Sequence, residues 1–432
     1  MRLLYLTRLL TLAVAALAAA TSVSAQSHNE HHDDSGPPPG VEESGWPTPR
    51  VTGMVQVDAV VLNQASADEV DPGSGLPLNQ NRFVLRRARV QADIDRGHVR
   101  GLFAIDADSL VEPRLRVFGA EVSLNYPADA AQPLLTAAGG LFVIPFGYGT
   151  LESDRRRFAL EPSTWVQALF PGRRDLGVRV EGHWRFLHAV VAVMNGEPNL
   201  SSLFPMHDPN AAKDIIGRVT ANAATGGKTT LESGVSLLVG TGFHRGRPQS
   251  KDMFVWRDAN EDAVVQSTEI MVIGGAPAEA SRNFDRFALG ADLALRSELP
   301  RLGALNLYAE LVWAKNLDRG VYLADPIALG RDLRELGYAT GFRQQLTRHA
   351  EIGVRYDRYQ PDFDASERLG IALVPIDAYF STWAFTVAWT TLGFGRVVVQ
   401  YDRHHNPLGR SRNGTPTTLA ADVLTVRTQL VF

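Results

Sequence analysis

One stretch of the chain carries a high density of positive side chains. Arg155, Arg156 and Arg157 are consecutive, and Arg173 and Arg174 follow shortly after them. A guanidinium is always charged and forks onto phosphate or carboxylate oxygens. In a narrow passage, positive side chains lower the barrier for anions and raise it for cations. The pattern therefore predicts an anion-attracting constriction, provided that the chain folds around a water-filled passage.

Other charged residues could extend or cancel this basic group. On the alternating period of strands, Arg87, Arg89, Arg100 and Arg355 fall on the same inward side. The same period also turns four carboxylates inward, namely Asp93, Asp106, Glu121 and Asp292. Pairing with them would neutralise the arginines. A mild preference for anions, an unselective passage and another class of solute therefore all stay open.

The elements that would position these residues are strands with one apolar and one polar face. In the last residues, 422–432, Leu424 and Val426 fall on one face, whereas Arg427 falls on the other. This pattern is typical of a strand with lipid on one side and a wet, polar lumen on the other. A final aromatic residue, Phe432, fits the last strand of an outer-membrane barrel.

About sixteen strand-like runs follow residue 51, each near the 9–11 residues that cross a bilayer at a tilt. We predict them at 51–62, 82–95, 97–108, 114–126, 133–145, 173–182, 184–194, 214–223, 230–241, 285–297, 303–314, 334–345, 349–359, 377–390, 395–404 and 421–432. Long links such as 146–172 and 405–420 alternate with short turns such as 181–183. Bacterial barrels combine short periplasmic turns, long external loops and an even strand number. The predicted fold class is all-β, a transmembrane antiparallel barrel over 51–432.

The first and last predicted strands should meet. An even strand number returns the chain to the side on which the barrel began, so 421–432 should pair with 51–62. Phe432 would then lie at the periplasmic rim. Barrel-assembly machinery typically reads such a terminal aromatic residue, and so it is an expected partner of Phe432.

The start of the chain predicts export. Arg2 and Arg8, the apolar run 9–20 and the small residues of 22–25 fit a cleaved secretory signal peptide over 1–25. An uncleaved membrane anchor is the alternative. The rest of the chain contains no run of about 18 apolar residues, the length that a membrane-spanning helix needs.

Residues 26–50 are polar and rich in proline, and we predict a disordered periplasmic linker. His28, His31 and His32 lie there among carboxylates, and such a group could instead hold zinc or copper. Nothing in the sequence fixes these ligands in space, so no metal and no cofactor is expected.

Composition adds few constraints on partners. The formal net charge is −4, and it becomes −6 (−4 − 2) once Arg2 and Arg8 leave with the signal peptide. Bulk charge therefore gives no reason to expect a nucleic-acid partner. Four of the 43 basic residues are lysine, so arginine dominates. The chain has no cysteine, and a closed barrel needs no disulfide.

Seven segments resemble, in chain order, landmarks of the phosphate-selective porin O and P family. They are 83–89, 140–147, 158–161, 169–177, 195–196, 217–218 and 351–359. The resemblance covers roughly residues 51–432. It implies a sixteen-stranded, usually trimeric, passive channel in the bacterial outer membrane. The central stretch 153–157 contains no lysine, so phosphate specificity is not carried over.

The resemblance implies a non-enzymatic porin that passes small anions or other small hydrophilic solutes. Two other classes remain as alternatives. A structural or adhesive barrel could use the long link 242–284 as a binding surface. An outer-membrane hydrolase could pair His404 or His405 with a serine, but the sequence does not show which residues are neighbours in space.

Overall fold

The computed structural model describes most of the chain from residue 48 onward. The described residues are 48–63, 73–74, 81–109, 114–128, 132–196, 209–224, 228–258, 260, 262–300, 302–369, 372–375, 378–391, 394–410, 416–419 and 422–432. The predicted signal peptide, most of the predicted linker and the histidines His28, His31 and His32 lie outside the described residues. Residues Pro47–Phe432 form one compact unit, which contains the whole of the predicted barrel.

Sixteen antiparallel strands form the wall of a closed barrel. In chain order they are β1 (Arg50–Asn63), β2 (Asn81–Arg96), β3 (Val99–Asp108), β4 (Arg114–Tyr126), β5 (Leu135–Val143), β6 (Arg174–Trp184), β7 (Leu187–Met194), β8 (Asp214–Ala224), β9 (Thr229–His244), β10 (Arg282–Leu299), β11 (Gly303–Lys315), β12 (Arg334–Gln345), β13 (Ala350–Gln360), β14 (Phe380–Thr391), β15 (Gly395–Arg410) and β16 (Asp422–Val431). Each strand pairs with its sequence neighbours, and β16 pairs back onto β1. The predicted antiparallel barrel is confirmed.

The alternation of side chains explains the two surfaces of this wall. In β14, Trp383, Phe385 and Val387 point outward and are 45%, 45% and 58% exposed. Thr382 and Ala384, which alternate with them, are buried inside the barrel. An outward row of large apolar side chains is favourable against lipid rather than water.

The seam between β1 and β16 joins the two ends of the barrel. The two strands pair as predicted, with Val57 opposite Thr428. The Phe432 amide donates to the Gly53 carbonyl at 3.1 Å, and the Gly53 amide donates to the Phe432 carbonyl at 2.7 Å. A β-carbon at Gly53 would lie 2.3 Å from the Phe432 ring. Glycine therefore lets the terminal aromatic ring lie directly on β1.

The connections at one end of the barrel are mostly long, and those at the other end are mostly short. The long-loop end carries 64–80, 109–113, 144–173, 195–213, 245–281, 316–333, 361–379 and 411–421. The short-turn end carries 97–98, 127–134, 185–186, 225–228, 300–302, 346–349 and 392–394. One pair departs from the alternation, because 109–113 is shorter than 127–134.

Two connections differ from their prediction. The turn predicted at 181–183 belongs to β6, and the chain reverses at 185–186 instead. Arg185 adopts a φ of 53°, the positive value that a two-residue hairpin turn favours. In addition, β15 continues well past residue 404, because Pro416–Leu419 pairs with its far end.

Three short helices lie in the parts of the connections that the structure describes, and the sequence did not predict them. They are α1 (Tyr148–Leu151), α2 (Thr164–Leu169) and α3 (Pro326–Leu329). Two loop hairpins, Met253–Trp256 with Ile270–Ile273 and Ser366–Leu369 with Ala372–Pro375, lie apart from the wall. Among the residues that the structure describes, no helix has both the length and the apolar character to cross a membrane.

Candidate pore constriction

The connection between β5 and β6, residues 144–173, folds into the barrel, and we call it the lumen loop. Its helix α2 contacts β12, β13 and β14 from the inside. Two glycines on these strands make room for its rings. A β-carbon at Gly337 would lie 2.4 Å from Trp165, and one at Gly353 would lie 2.2 Å from the Phe158 ring. The predicted long link 146–172, which contains the three consecutive arginines, therefore lies inside the wall.

One side of the lumen loop packs in an apolar cluster. Trp165, Leu169 and Phe170 are at most 1% exposed and belong to one cluster with wall residues such as Ala314 and Ala339. Small wall residues leave the volume that the loop's large side chains fill. The sequence predicted a wet, polar lumen, and on this side that prediction is wrong. The lumen loop covers the inner wall there and excludes water.

The opposite side of the lumen loop is charged, and Asp154 is its centre. Arg89 and Arg157 lie 3.0 Å and 3.3 Å from the Asp154 carboxylate, and Arg87 lies 3.5 Å from it. Arg173 donates a hydrogen bond to the same carboxylate. Burial acts to raise the pKa of Asp154, but the four arginines hold this pKa well below its usual range. Asp154 is therefore ionised and attaches the loop to β2.

Glu161 makes a second attachment, near the seam of the barrel. Arg427 on β16 lies 2.8 Å from the Glu161 carboxylate and 2.7 Å from Asp58 on β1. Arg86 on β2 donates to Glu161 through its Nε at 2.6 Å. Arg427 faces inward, as predicted. Its ion pairs and that of Arg86 join the lumen loop to the strands on both sides of the seam.

The three consecutive arginines of the sequence prediction have three different surroundings. Arg157 is buried and also lies 3.2 Å from Glu152. Arg155 is half-buried and donates to the Thr52 hydroxyl at 3.2 Å. Arg156 is exposed and lines an open cavity. They do not form one ring, and Arg156 is the member of the three that faces water most directly.

Arg87, Arg89 and Arg173 come together around Asp154, and Arg174 lies close to them. The guanidinium of Arg174 lies 4.0 Å from the centre of the Phe118 ring, and that of Arg89 lies 3.2 Å from the same ring. Arg100 stands apart, because it pairs at 2.7 Å with Asp95 beside a short turn. The structure thus brings most of the predicted basic residues together but leaves Arg100 out.

Arg355 lies on the other side of the lumen, where it is 3.2 Å from Asp357 and donates to the Glu161 carbonyl. Of the four carboxylates named as neutralising partners, Asp106 pairs with a predicted arginine, and two others pair with arginines outside the predicted group. Asp106 pairs with Arg89, Glu121 with Arg179 and Asp292 with Arg218, whereas Asp93 accepts from the Gln91 amide. Most inward arginines are therefore held in ion pairs.

Two open cavities lie on either side of the lumen loop. The long-loop vestibule has a volume of about 530 Å³ and is lined by residues that include Arg86, Glu161, Arg355, Asp402 and His404. The short-turn vestibule has a volume of about 740 Å³, and its lining includes Glu152, Arg156, Arg296, Arg343 and Glu351. Both vestibules present charges of both signs, as expected of water-filled spaces.

A small cavity of about 20 Å³ has lining residues in common with both vestibules. It shares Glu152 and Arg343 with the short-turn vestibule and Arg355 with the long-loop vestibule. Phe158 and Tyr308 also line it. This volume holds about one water molecule. We call Phe158, Tyr308 and Arg355 the constriction.

Of the three constriction residues, the sequence predicted Arg355 but not the two aromatic rings. Tyr308 had a positional signal, since it falls on the inward period of β11. Phe158 directly follows the three arginines at which the sequence predicted a constriction. The sequence carries a weaker signal of the ring's position. A β-carbon at Gly341 would lie 2.1 Å from the Tyr308 ring, so the ring needs a glycine at this place.

Comparisons with known proteins add solved structures and no sequence relatives. No protein-family model and no curated protein matches the chain. The outer membrane channel DcaP of Acinetobacter baumannii aligns with a TM-score of 0.52 and 11% identity, over 89% of this chain and 97% of its own. The anion-selective porin from Comamonas acidovorans aligns with a TM-score of 0.50 and 11% identity, over 89% of this chain and 99% of its own. OmpT, an outer membrane protein of Vibrio cholerae in its trimer form, aligns with a TM-score of 0.50 and 8% identity, over 89% of this chain and 99% of its own.

The chain has the fold of the outer-membrane porins. At identities this low the likeness extends to the fold and no further. The porin class implied by the sequence resemblance is therefore supported at the level of architecture. Membership of the phosphate-selective porin O and P family stays a prediction.

Proposed function

We propose that this protein is a porin of the bacterial outer membrane through which small hydrophilic solutes diffuse passively. The observation that carries the proposal is a closed sixteen-stranded barrel with a loop folded inside it and an open vestibule on each side of that loop. In bacterial barrels the long loops face the outside and the short turns face the periplasm. The long-loop vestibule would then open to the exterior. Diffusion needs no catalytic residue and no cofactor.

The constriction sets the size of the solutes in this proposal. Its volume of about 20 Å³ leaves room for about one water molecule, so a hydrated ion needs movement of Phe158, Tyr308 or Arg355. Phe158 belongs to the lumen loop, whereas the other two belong to the wall. We therefore expect small displacements of the loop to control the conductance.

The same geometry supports a mild preference for anions. Four arginines face the single carboxylate of Asp154, and Arg174 adjoins them. Buried charges of one sign act on a passing ion through their field, because the low-dielectric surroundings screen them poorly. A protein with this fold is named an anion-selective porin, which is consistent with the proposal. The ion pairs with Asp106 and Glu152 reduce the excess and favour a weak rather than a phosphate-specific preference.

Recordings in planar bilayers test both parts of the proposal. Purified protein should give unitary conductance steps, and the reversal potential in a potassium chloride gradient should indicate a mild preference for chloride. Replacing Arg155, Arg156 and Arg157 together with glutamine should reduce this preference. Unchanged selectivity in the triple variant would exclude these arginines as its source. Absence of any conductance step would exclude the channel itself.

A structural or adhesive barrel that conducts nothing is the second candidate. The observation in its favour is the filling of the lumen by the apolar cluster and by the ion pairs around Asp154 and Glu161. A variant that lacks the lumen loop separates the two functions. If the wild-type protein gives no steps and the shortened variant does, the native barrel is closed. A hydrolase has less support, because the Nδ1 of His404 lies 3.0 Å from the Thr382 hydroxyl and His405 stacks on the Tyr379 ring.

We also propose how the chain matures and assembles. The signal peptide 1–25 would be removed during export, and three copies would form a homotrimer in contact with membrane lipid. The Phe432 residue at the seam is 47% exposed, so its ring is accessible to barrel-assembly machinery. Deleting Phe432 should reduce the inserted fraction without changing the conductance of the molecules that insert. Light scattering of the purified protein measures the number of copies.

A further inference from the structure

The outer face of the barrel carries a groove of about 550 Å³. It crosses β9 to β14, and its lining is almost entirely apolar. Small residues, Ala309 and Thr340, lie in the groove beside larger ones, Phe342 and Trp383. Its volume is in the range of pockets that enclose a small ligand. The groove is on the face that contacts lipid in barrels of this kind.

A cationic and aromatic patch lies next to this groove, toward the long-loop end. The Arg358 guanidinium lies 3.7 Å from the centre of the Tyr379 ring, which stacks on His405 at 4.4 Å. Arg358 lies opposite Ser381 on β14, and Ser381 lies opposite His405 on β15. Arg403 follows on the same outward face of β15 and is exposed. Arg403 lies opposite Trp383, two residues further along β14 than Ser381. With strands about 4.8 Å apart and a rise of about 3.4 Å per residue, the α-carbons of the two arginines are about 12 Å apart.

The depth of this patch follows from its chemistry. A charge on the lipid face is costly at mid-membrane and nearly free at headgroup level, so Arg358 and Arg403 belong at the headgroups. Tyr356 lies two residues from Arg358 on β13, and Trp383 lies directly opposite Arg403. These two rings pack with centres 4.6 Å apart, as in an interfacial aromatic belt. Both rings also line the upper part of the groove. The patch and the groove are therefore continuous.

We propose that this face binds a membrane lipid with a phosphate and a net negative charge, with its phosphate at Arg358 and Arg403 and an acyl chain in the groove. The arginine fork matches phosphate oxygens, and the apolar lining matches a hydrocarbon chain. Asp422, the carboxylate on the neighbouring strand β16, accepts a hydrogen bond from the Tyr401 hydroxyl at 2.7 Å. The proposal rests on the proposed membrane location and is independent of conduction.

The test measures lipid retention by native mass spectrometry of the full chain in detergent micelles doped with phosphatidic acid. Replacing both Arg358 and Arg403 with glutamine should weaken retention about 30-fold, because each basic residue near a charged headgroup contributes a factor of about five. Arg185→Gln is the matched control, since Arg185 contacts the Trp184 ring at the short-turn rim. It should leave retention unchanged.

A second variant tests the groove separately from the charges. Ala309→Trp should fill the groove and weaken retention roughly tenfold, the equivalent of about two methylene groups withdrawn from contact. The control is Ala291→Trp, an outward alanine on β10 that does not line the groove. Both variants keep the inner face of the wall intact, so their folding should match the wild type by circular dichroism.

Three results would overturn the proposal. The first is that the arginine double variant retains phosphatidic acid as well as the wild type does. The second is that inorganic phosphate displaces phosphatidic acid as readily as additional lipid does. The third is that the wild type retains phosphatidylcholine as well as phosphatidic acid. A change in oligomer mass with Ala309→Trp, with retention unchanged, would assign the groove to a second copy of the chain and also overturn it. Conductance is recorded separately, so a failed lipid test leaves the porin proposal standing, and a failed channel test leaves this one standing.

Discussion

The two sides of the lumen loop are held by different interactions. On one side, Trp165 and its neighbours are buried against small apolar residues of β11 and β12. On the other, Asp154 and Glu161 are held by arginines from β2 and β16. Apolar contacts are non-directional and insensitive to pH, whereas each buried ion depends on its own partners. The lumen loop is therefore attached to the wall by apolar packing on one side and by ion pairs on the other.

The difference between the two sides predicts how each one fails. Loss of an apolar side chain leaves a cavity, and the rest of the packing can partly adjust. Loss of one ion from a buried network leaves the others uncompensated, and salt screens buried groups poorly. The charged side should therefore be the more sensitive to a single substitution.

The largest effect is expected for Asp154→Asn, which removes the carboxylate that four arginines share. The free energy of unfolding should fall by about 3–5 kcal/mol, because the buried guanidinium groups then lose their common partner. Urea unfolding in lipid vesicles, followed by circular dichroism, measures it. Asp332→Asn is the matched control, since the exposed pair of Asp332 with Lys315 should contribute less than about 1 kcal/mol. Equal losses in the two variants would contradict the central role of Asp154.

The pH dependence gives a second test of Asp154. Its folded-state pKa is depressed well below the unfolded value of about 3.9. The stabilisation from this group is therefore complete above pH 4 and is lost as the pH falls toward the folded-state pKa. Below pH 4 the stability difference between the wild type and Asp154→Asn should shrink by about 1.4 kcal/mol per pH unit. A constant difference down to pH 3 would show that the depressed pKa is absent.

Trp165→Ala tests the apolar side. The loss should be about 3 kcal/mol, at the low end for a buried tryptophan, because the open vestibules let the loop adjust. Unlike the loss at Asp154, it should not change with pH. Trp389→Ala, an outward residue that is 52% exposed, should cost less than about 1 kcal/mol. A larger unitary conductance in Trp165→Ala would also indicate that α2 limits the passage.

Gly337→Ala probes the same side with a smaller change. The new β-carbon would lie 2.4 Å from Trp165, so the loop must shift at a cost of about 1–3 kcal/mol. At Gly101 a β-carbon meets nothing within 4 Å, and Gly101→Ala should stay within about 0.5 kcal/mol of the wild type. Similar stability of the two variants would indicate that α2 does not press on β12.

The sequence predicted the wall far better than the interior. The alternation in β14 and β16 is dictated by lipid on one side, so each strand carries its own signal. The pairing of Asp154 with Arg89, by contrast, joins residues that are distant in sequence, and no local pattern encodes it. The apolar cluster also has no periodic signal, because alanines such as Ala314 read equally well as lining of a wet lumen. Whether an inward face of the wall is dry depends on its burial by the lumen loop, which is a tertiary effect.

The smallest effect on stability, and the sharpest on function, is expected for Arg156→Gln. Arg156 is exposed in the short-turn vestibule, whereas Arg157 is buried against Asp154 and Glu152. Stability should stay within about 0.5 kcal/mol of the wild type, because no buried partner is lost. The reversal potential should nevertheless move toward cation preference, since Arg156 faces the permeating ions. Arg157→Gln should also move the reversal potential, because its buried charge acts on a passing ion through its field, but it should in addition cause a clear loss of stability. An unchanged reversal potential in Arg157→Gln would assign the selectivity to the exposed arginine alone.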